Sequence, residues 1–347
     1  MSASERLAKL KDDLGSLTPG KPTADHHPQT GQQQNRGRQA TEPTQIPVHG
    51  WRDVLMRTWG EISEANIFLV SGGVTYAVIL ALFPGLAALV SIYGLLLDPA
   101  QVEKQVAALS TVLPPDTARM IGDELHNLVS ASSGTLGVSA VVTLLFALWS
   151  ASRGMSGLIT ALNIAYEQKE TRSFFKFNLI AIGLTILMLI GGVITIALVG
   201  ILPAVVGAVG LGVLTRWALL GLEWPLLIVV VMTGLGVLYR YAPNRDMARW
   251  KWVTPGAIAG TILWILGSIA FSVYVSHFSS YDKTYGSLGG VVVMLTWLYL
   301  SAFVVLLGAV INAQAERQTV ADSTTGHPRP LGERQAHAAD TVGETPD

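Results

Sequence analysis

The chain has 347 residues, half of them apolar and only 14% charged, with a formal net charge of -1. A mean hydropathy of +0.45 over that length is the composition of an integral membrane protein, and the near-zero charge balance gives no electrostatic case for a nucleic-acid partner. The absence of cysteine excludes disulfides, thiolate zinc sites, iron–sulfur clusters and thiol nucleophiles.

Met1 to His49 is rich in Gln, Pro, Thr, Gly and charge and lacks the apolar core of a cleaved signal peptide. Residues 1–50 therefore read as a disordered cytoplasmic tail, with the first span acting as the insertion signal. Residues 51–316 hold six hydrophobic segments, Ile67 to Leu97, Thr135 to Ser152, Asn178 to Leu202, Leu219 to Leu238, Val253 to Phe278 and Ser287 to Asn312. Each approaches or exceeds the roughly 20 residues that cross ~30 Å of hydrocarbon. The expected fold is all-α, a polytopic membrane bundle of six transmembrane helices with both termini cytoplasmic.

The first segment is uncharged from Ala65 to Leu97 and contains Phe83-Pro84-Gly85. Pro84 marks either a kinked or discontinuous helix that offers backbone groups to a solute, or a tilted helix bent by packing. The loop Asp98 to Gly134 carries apolar residues near helical spacing on either side of Pro114-Pro115, which predicts two short helices that either lie on the outer membrane surface or cap the bundle. The second segment continues as a helix beyond Trp149. Along it Arg153, Ser156, Thr160, Asn163 and Glu167 recur at spacings of three and four, while Met155, Ile159 and Leu162 share another side. This stripe either lines a vestibule, with Arg153 placed for an anionic head group, or is the wetted face of an interfacial helix.

The third and fourth segments divide at Pro203, Gly207, Gly210 and Gly212, where a hairpin is expected. In the fourth, Glu223 is the acid within reach of hydrocarbon. It is either a proton or cation site, or, with Pro225 two residues on, an acid in a helix first turn. The fifth segment sets Ser268, Ser272, Ser276 and Ser280 at four-residue spacing, with Gly256 and Gly260 as a small-residue pair. Helix packing is the favoured reading, a polar route the other. Tyr281, Asp282, Lys283, Tyr285 and Gly286 form a candidate outer hairpin for gating or partner recognition, the glycine permitting a left-handed backbone. Residues 317–347 return to the composition of the first tail and read as a second disordered cytoplasmic tail.

Orientation follows from the cations. Arg153, Lys169, Arg172 and Lys176 fall in one loop and Arg240, Arg245, Arg249 and Lys251 in another, whereas the alternate loops hold Lys104, Arg119, Arg216 and Lys283. The cation-rich loops are expected in the cytoplasm.

The segments Leu148-Trp149-Ser150-Ala151-Ser152-Arg153-Gly154, Ala161-Leu162-Asn163-Ile164-Ala165-Tyr166, Tyr239-Arg240-Tyr241-Ala242-Pro243-Asn244, Tyr281-Asp282-Lys283-Thr284-Tyr285-Gly286-Ser287-Leu288-Gly289 and Leu307-Gly308-Ala309-Val310-Ile311-Asn312 together resemble the YihY/BrkB family of bacterial inner-membrane proteins. The resemblance spans about Trp51 to Glu316, with Gly72-Gly73-Val74 standing where an alanine-rich stretch is expected. It implies a six-helix inner-membrane protein of the cell envelope and brings a ribonuclease label carried by some members. The chemistry of that label is not legible here, because His26, His27, His49, His126, His277, His327 and His337 are scattered rather than clustered as metal-dependent cleavage requires.

No matched nucleophile and base, phosphate-binding loop, cofactor motif or metal-ligand set is visible. A non-enzymatic role is expected: a transporter or translocator of a lipid-like or amphiphilic solute, with a pathway built from Pro84, Arg153, Ser156, Thr160, Asn163, Glu223, Ser268, Ser272 and Ser276. The alternative is an envelope assembly or scaffold protein that holds a protein partner, or a second copy of itself, through Asp98 to Gly134 and the outer hairpin. The lipid bilayer is a partner in either case.

Overall fold

The computed structural model describes residues 36–96, 138–201, 213–277 and 288–346. Within them the regular secondary structure is helical, with no strand beyond an isolated bridge between Ala248 and Thr324. After a single 3-10 turn at Pro43–Gln45 come α1 (Val48–Glu64), α2 (Ile67–Leu96), α3 (Val138–Ala165), α4 (Phe174–Ile196), α5 (Val213–Tyr241), α6 (Trp250–His277), α7 (Leu288–Glu316) and the short α8 (His337–Asp340). Residues 1–35, the loop Asp98 to Gly134, the turn at Pro203, Gly207, Gly210 and Gly212, and Ser280, Tyr281, Asp282, Lys283, Tyr285 and Gly286 lie outside the described residues.

Helix ends follow local chemistry. Asn66 takes a left-handed backbone (φ 51°) and separates α1 from α2, a conformation that asparagine tolerates better than most residues. Glu167 does the same (φ 52°) beyond α3, where the Gln168 amide returns to the Asn163 carbonyl. At the start of α4 the Ser173 hydroxyl caps the Lys176 amide. α2 runs unbroken through Pro84, so the discontinuous-helix reading does not hold. α3 continues past Trp149 to Ala165 as one helix, as the sequence predicts. α5 begins at Val213, so Glu223 and Pro225 lie in its interior and not in a first turn.

Five helices, α2, α4, α5, α6 and α7, are long and apolar enough to cross a membrane. α3 has 28 residues but is not among the five. Neighbours close a ring: α2 packs on α3, α3 on α4, α4 on α5, α5 on α6, α6 on α7 and α7 on α2, while α7 also reaches α3 and carries α1. Glycine sets two of these contacts. A Cβ added to Gly154 would stand 2.7 Å from the Ala81 methyl, and one at Gly157 would stand 2.8 Å from that of Ala77, so α2 and α3 approach closely. A Cβ at Gly256 would collide with the Gly308 carbonyl, which fixes α6 against α7 and bears out the packing reading of that glycine.

The main apolar core lies towards one end, here termed the base. It is built from Ile67 and Val74 of α2, Met155 to Ala165 of α3, Ala181 and Leu184 of α4, Leu235 and Tyr239 of α5, Trp252 to Ala257 of α6 and Ala302 to Ala313 of α7. The large apolar side chains further along α4, α5 and α6, such as Ile190, Val193, Leu222, Trp224, Leu266 and Ile269, are exposed.

Both chain segments beyond the spans differ from the disordered tails expected of their composition. Residues 36–47 and 317–346 pack together over the base. The Val320 amide bonds the Arg38 carbonyl, and the Gly343 amide bonds that of Arg317. The Thr319 hydroxyl donates to the Ala40 carbonyl at 2.7 Å. Few apolar side chains are available, so a buried cation organises the segment. Arg334 is 4% exposed and its guanidinium donates to the carbonyls of Arg329, Ala321, Ala339 and Val320. Composition predicts disorder where too little apolar surface is buried; here four guanidinium hydrogen bonds to backbone carbonyls hold the segment instead.

Candidate functional site

The polar stripe of α3 is the feature from which a site can be built. Arg153 lies near the middle of the helix. Its Nη2 donates to Asn178 Oδ1 at 3.1 Å, and its guanidinium carbon sits 4.5 Å from the centre of the Trp149 ring. Asn178, one turn into α4, is itself held by a 2.7 Å bond to the Phe174 carbonyl. The Arg153 Nε is buried and has no hydrogen-bond partner. A guanidinium with a stacked face, one amide acceptor and a spare donor is equipped to receive an oxyanion.

The remainder of the stripe is mostly tied to the protein. Ser156 and Thr160 hydroxyls bond the carbonyls one turn back, at 2.9 and 3.0 Å. Asn163 is a clamp: its Oδ1 accepts from the Asn244 amide at 2.7 Å and its Nδ2 donates to Glu170 at 2.8 Å. Glu170 in turn pairs with Arg172, which donates to the Ala242 carbonyl. Partial burial works to raise the Glu170 carboxyl, but the bonds from Arg172 and Asn163 outweigh it and hold it below the ordinary value. Glu167 pairs with Arg317 at 2.7 Å and with His337 at 3.1 Å. The stripe thus binds both base loops and the C-terminal segment to α3, and leaves Arg153 as its member with unused donor capacity.

The other predicted pathway residues are placed differently. Pro84 is half-buried beside the α2–α3 contact, where a Cβ on the adjacent Gly85 would stand 3.9 Å from Ala151. Glu223 is half-buried in α5, Ser268 half-buried in α6, and Ser272 and Ser276 are exposed; the Ser276 hydroxyl donates to the Val273 carbonyl. Among the described residues no hydrogen bond or ion pair joins Glu223, Ser268 or Ser272 to Arg153.

Sequence reasoning missed a second cluster at the base. Arg245 and Glu316 form a two-pronged ion pair at 2.9 and 2.6 Å, with side chains 1% and 0% exposed. The Ser323 hydroxyl donates to the same carboxylate, and the guanidinium lies 5.2 Å from the centre of the Tyr166 ring. Burial opposes the Arg245 charge, yet Glu316 holds its pKa above the usual guanidinium value. Burial first, then the Glu316 charge, pushes the Tyr166 hydroxyl well above its ordinary range. Nearby, Asn312 accepts from the Gly256 amide at 2.6 Å and donates to the Val253 carbonyl at 3.1 Å, in the first turns of α6. Tyr239 is buried, and its hydroxyl donates to the Val305 carbonyl at 2.8 Å. Tyr241, by contrast, is exposed and edge-on to Trp250, with Arg240 over both rings. Among the described residues no group of three or more His, Asp or Glu side chains could hold a metal ion.

The virulence factor BrkB family profile matches residues 58–332. YfkH of Bacillus subtilis (strain 168), whose name describes it as ribonuclease-like, is 34% identical over 254 residues, covering 70% of this chain and 88% of that protein. A UPF0761 membrane protein of Haemophilus influenzae (strain 86-028NP) is 26% identical over 255 residues, 72% of this chain and 90% of its own length. Another, from Pseudoalteromonas translucida (strain TAC 125), is 35% identical over 94 residues, 27% of this chain and 31% of that protein. No solved structure is detectably similar. With five apolar helices of spanning length and a matched profile across most of its sequence, the chain is a multi-pass bacterial inner-membrane protein and belongs to the virulence factor BrkB family.

Proposed function

We propose that the protein translocates an amphiphilic, lipid-like solute with an anionic head, and that it does so without catalysing a covalent reaction. The observation that carries this reading is Arg153: a half-buried guanidinium in the middle of a long helix, stacked on Trp149, with a buried Nε that no protein group satisfies. An ionisable group at membrane depth is costly and calls for a functional reason. In this reading α3 is the sixth transmembrane helix, and the base, where Lys169, Arg172, Lys176, Arg240, Arg245, Arg249 and Lys251 gather, faces the cytoplasm together with both termini. Arg153 then receives head groups from the cytoplasmic leaflet, and Glu223, Ser268, Ser272 and Ser276 flank the route beyond it.

The test is movement of fluorescent phospholipid between leaflets of reconstituted liposomes, comparing the native protein with Arg153→Ala and Glu223→Gln variants of verified fold. Native activity that falls at least tenfold with Arg153→Ala is the expected result. Absence of activity in folded, inserted native protein would overturn lipid translocation and move the reading to a scaffold role, for which stable capture of a membrane protein partner is the direct measurement.

A further inference from the structure

We propose that α1 is an interfacial helix whose partner is the lipid surface itself, seated at the head-group and acyl-chain boundary of the leaflet on the base side. Three arcs run along this helix. One faces the protein: Asp53 pairs with Arg36 at 2.8 Å, and Arg57 donates to Gln314, Gln318 and the Glu344 carbonyl. A second arc, His49, Arg52, Ser63 and Glu64, is exposed and polar apart from Met56.

The third arc is apolar and continues directly from the buried Val54 and Ile62. Its outer edge is Val48, Leu55 and Trp59, which are 82%, 57% and 77% exposed. Residues seven and eleven apart lie about two and about three turns along one side of a helix, so these three form a single stripe rather than scattered exposures. In water such a stripe would leave three large apolar side chains uncovered on one side of the helix.

Continuity with the membrane surface identifies what covers it. Only Ala65 and Asn66 separate α1 from α2, a span whose first turn presents Phe68 and Leu69, 54% and 78% exposed, to lipid. The base end of α4 presents Phe174 and Phe175 beside Lys176, and the start of α6 presents Trp250 under Arg240. Aromatic rings mixed with cations mark the level of the interface, and α1 adds Trp59 and Arg52 to that belt. A helix with one lipid-facing edge, one wet edge and one protein-facing edge is the arrangement expected of an interfacial element. α1 holds this position in the bilayer whether or not the protein moves a solute.

The cysteine-free sequence permits a direct test. Single substitutions Val48→Cys, Leu55→Cys and Trp59→Cys, with Leu69→Cys as a lipid-exposed reference and Arg52→Cys and Ser63→Cys as aqueous references, are labelled with an environment-sensitive fluorophore in lipid nanodiscs. Labels at 48, 55 and 59 are expected to be quenched by brominated acyl chains to within about twofold of the label at 69, and to be at least threefold less accessible to iodide than those at 52 and 63. Iodide access equal to the aqueous references would overturn the proposal. So would protection from both quenchers, which would mean that protein, a partner or a second copy, covers the stripe.

Discussion

At the scale of single residues, the base is held by polar side chains that are satisfied inside the protein. Breaking a buried ion pair from one side leaves an uncompensated charge, at about 3–5 kcal/mol. Arg245→Ala is therefore expected to lower the stability of the purified protein by about that amount in denaturant unfolding. The paired change Arg245→Met with Glu316→Leu is expected to cost much less than the sum of its two singles, because neither charge then remains alone. A cycle in which the two changes simply add would show that the pair is not coupled. Sequence inspection found the residue types but not their roles. Gly256 was legible as a packing glycine because small residues in spans usually serve that purpose. Asn312 and Tyr239 were not, since their partners are backbone groups 56 and 66 residues away in sequence, and nothing local marks such a bond. Arg153 was legible as one member of a polar stripe at spacings of three and four, whereas its contact with Asn178 across to α4 was not, since 25 residues separate the two.

Among elements, the C-terminal segment was least legible. Its composition is that of a disordered tail, and only the carbonyl partners of Arg334 and Arg57 show why it folds. Truncation after Gln318 removes the Ser323 bond to Glu316, the Arg334 nucleus and the Glu344 partner of Arg57. The truncated protein is expected to insert in the membrane but to lose protection of the 36–47 segment, read as faster protease cleavage there than in the full chain. Equal cleavage would mean that the two segments are held independently. The loop between α3 and α4 offers a pH test. Glu170 is held below its ordinary value near 4.5, so its contribution is complete above that pH and fades as pH falls through the lower folded value. The native protein should be more stable than Glu170→Gln at pH 7, and the gap in melting temperature should shrink on acidification below about pH 4.5. A gap that stayed constant or widened on acidification would remove this account. Helix limits illustrate a separate restriction on sequence reading: hydropathy placed the fourth segment at Leu219 to Leu238, whereas α5 runs from Val213 to Tyr241. Hydropathy senses the lipid zone, but backbone hydrogen bonding carries a helix beyond it.

For the whole molecule, the class and most spanning segments were written in the apolar runs, because the bilayer demands that every backbone group within it be bonded inside the chain and leaves helices as the economical solution. The ring of neighbours and its one-sided core were not, since apolar runs do not say which face meets protein and which meets lipid. The interlocking of residues 36–47 with residues 317–346 has a consequence for biosynthesis. The two halves of that seam are separated by the entire membrane domain, so the earlier half leaves the ribosome long before its partner exists. Insertion of the helices must then proceed with the base open. The seam closes only once residues 317–346 have been made, so the native base is completed after the last helix has been synthesised rather than as the earlier helices enter the bilayer.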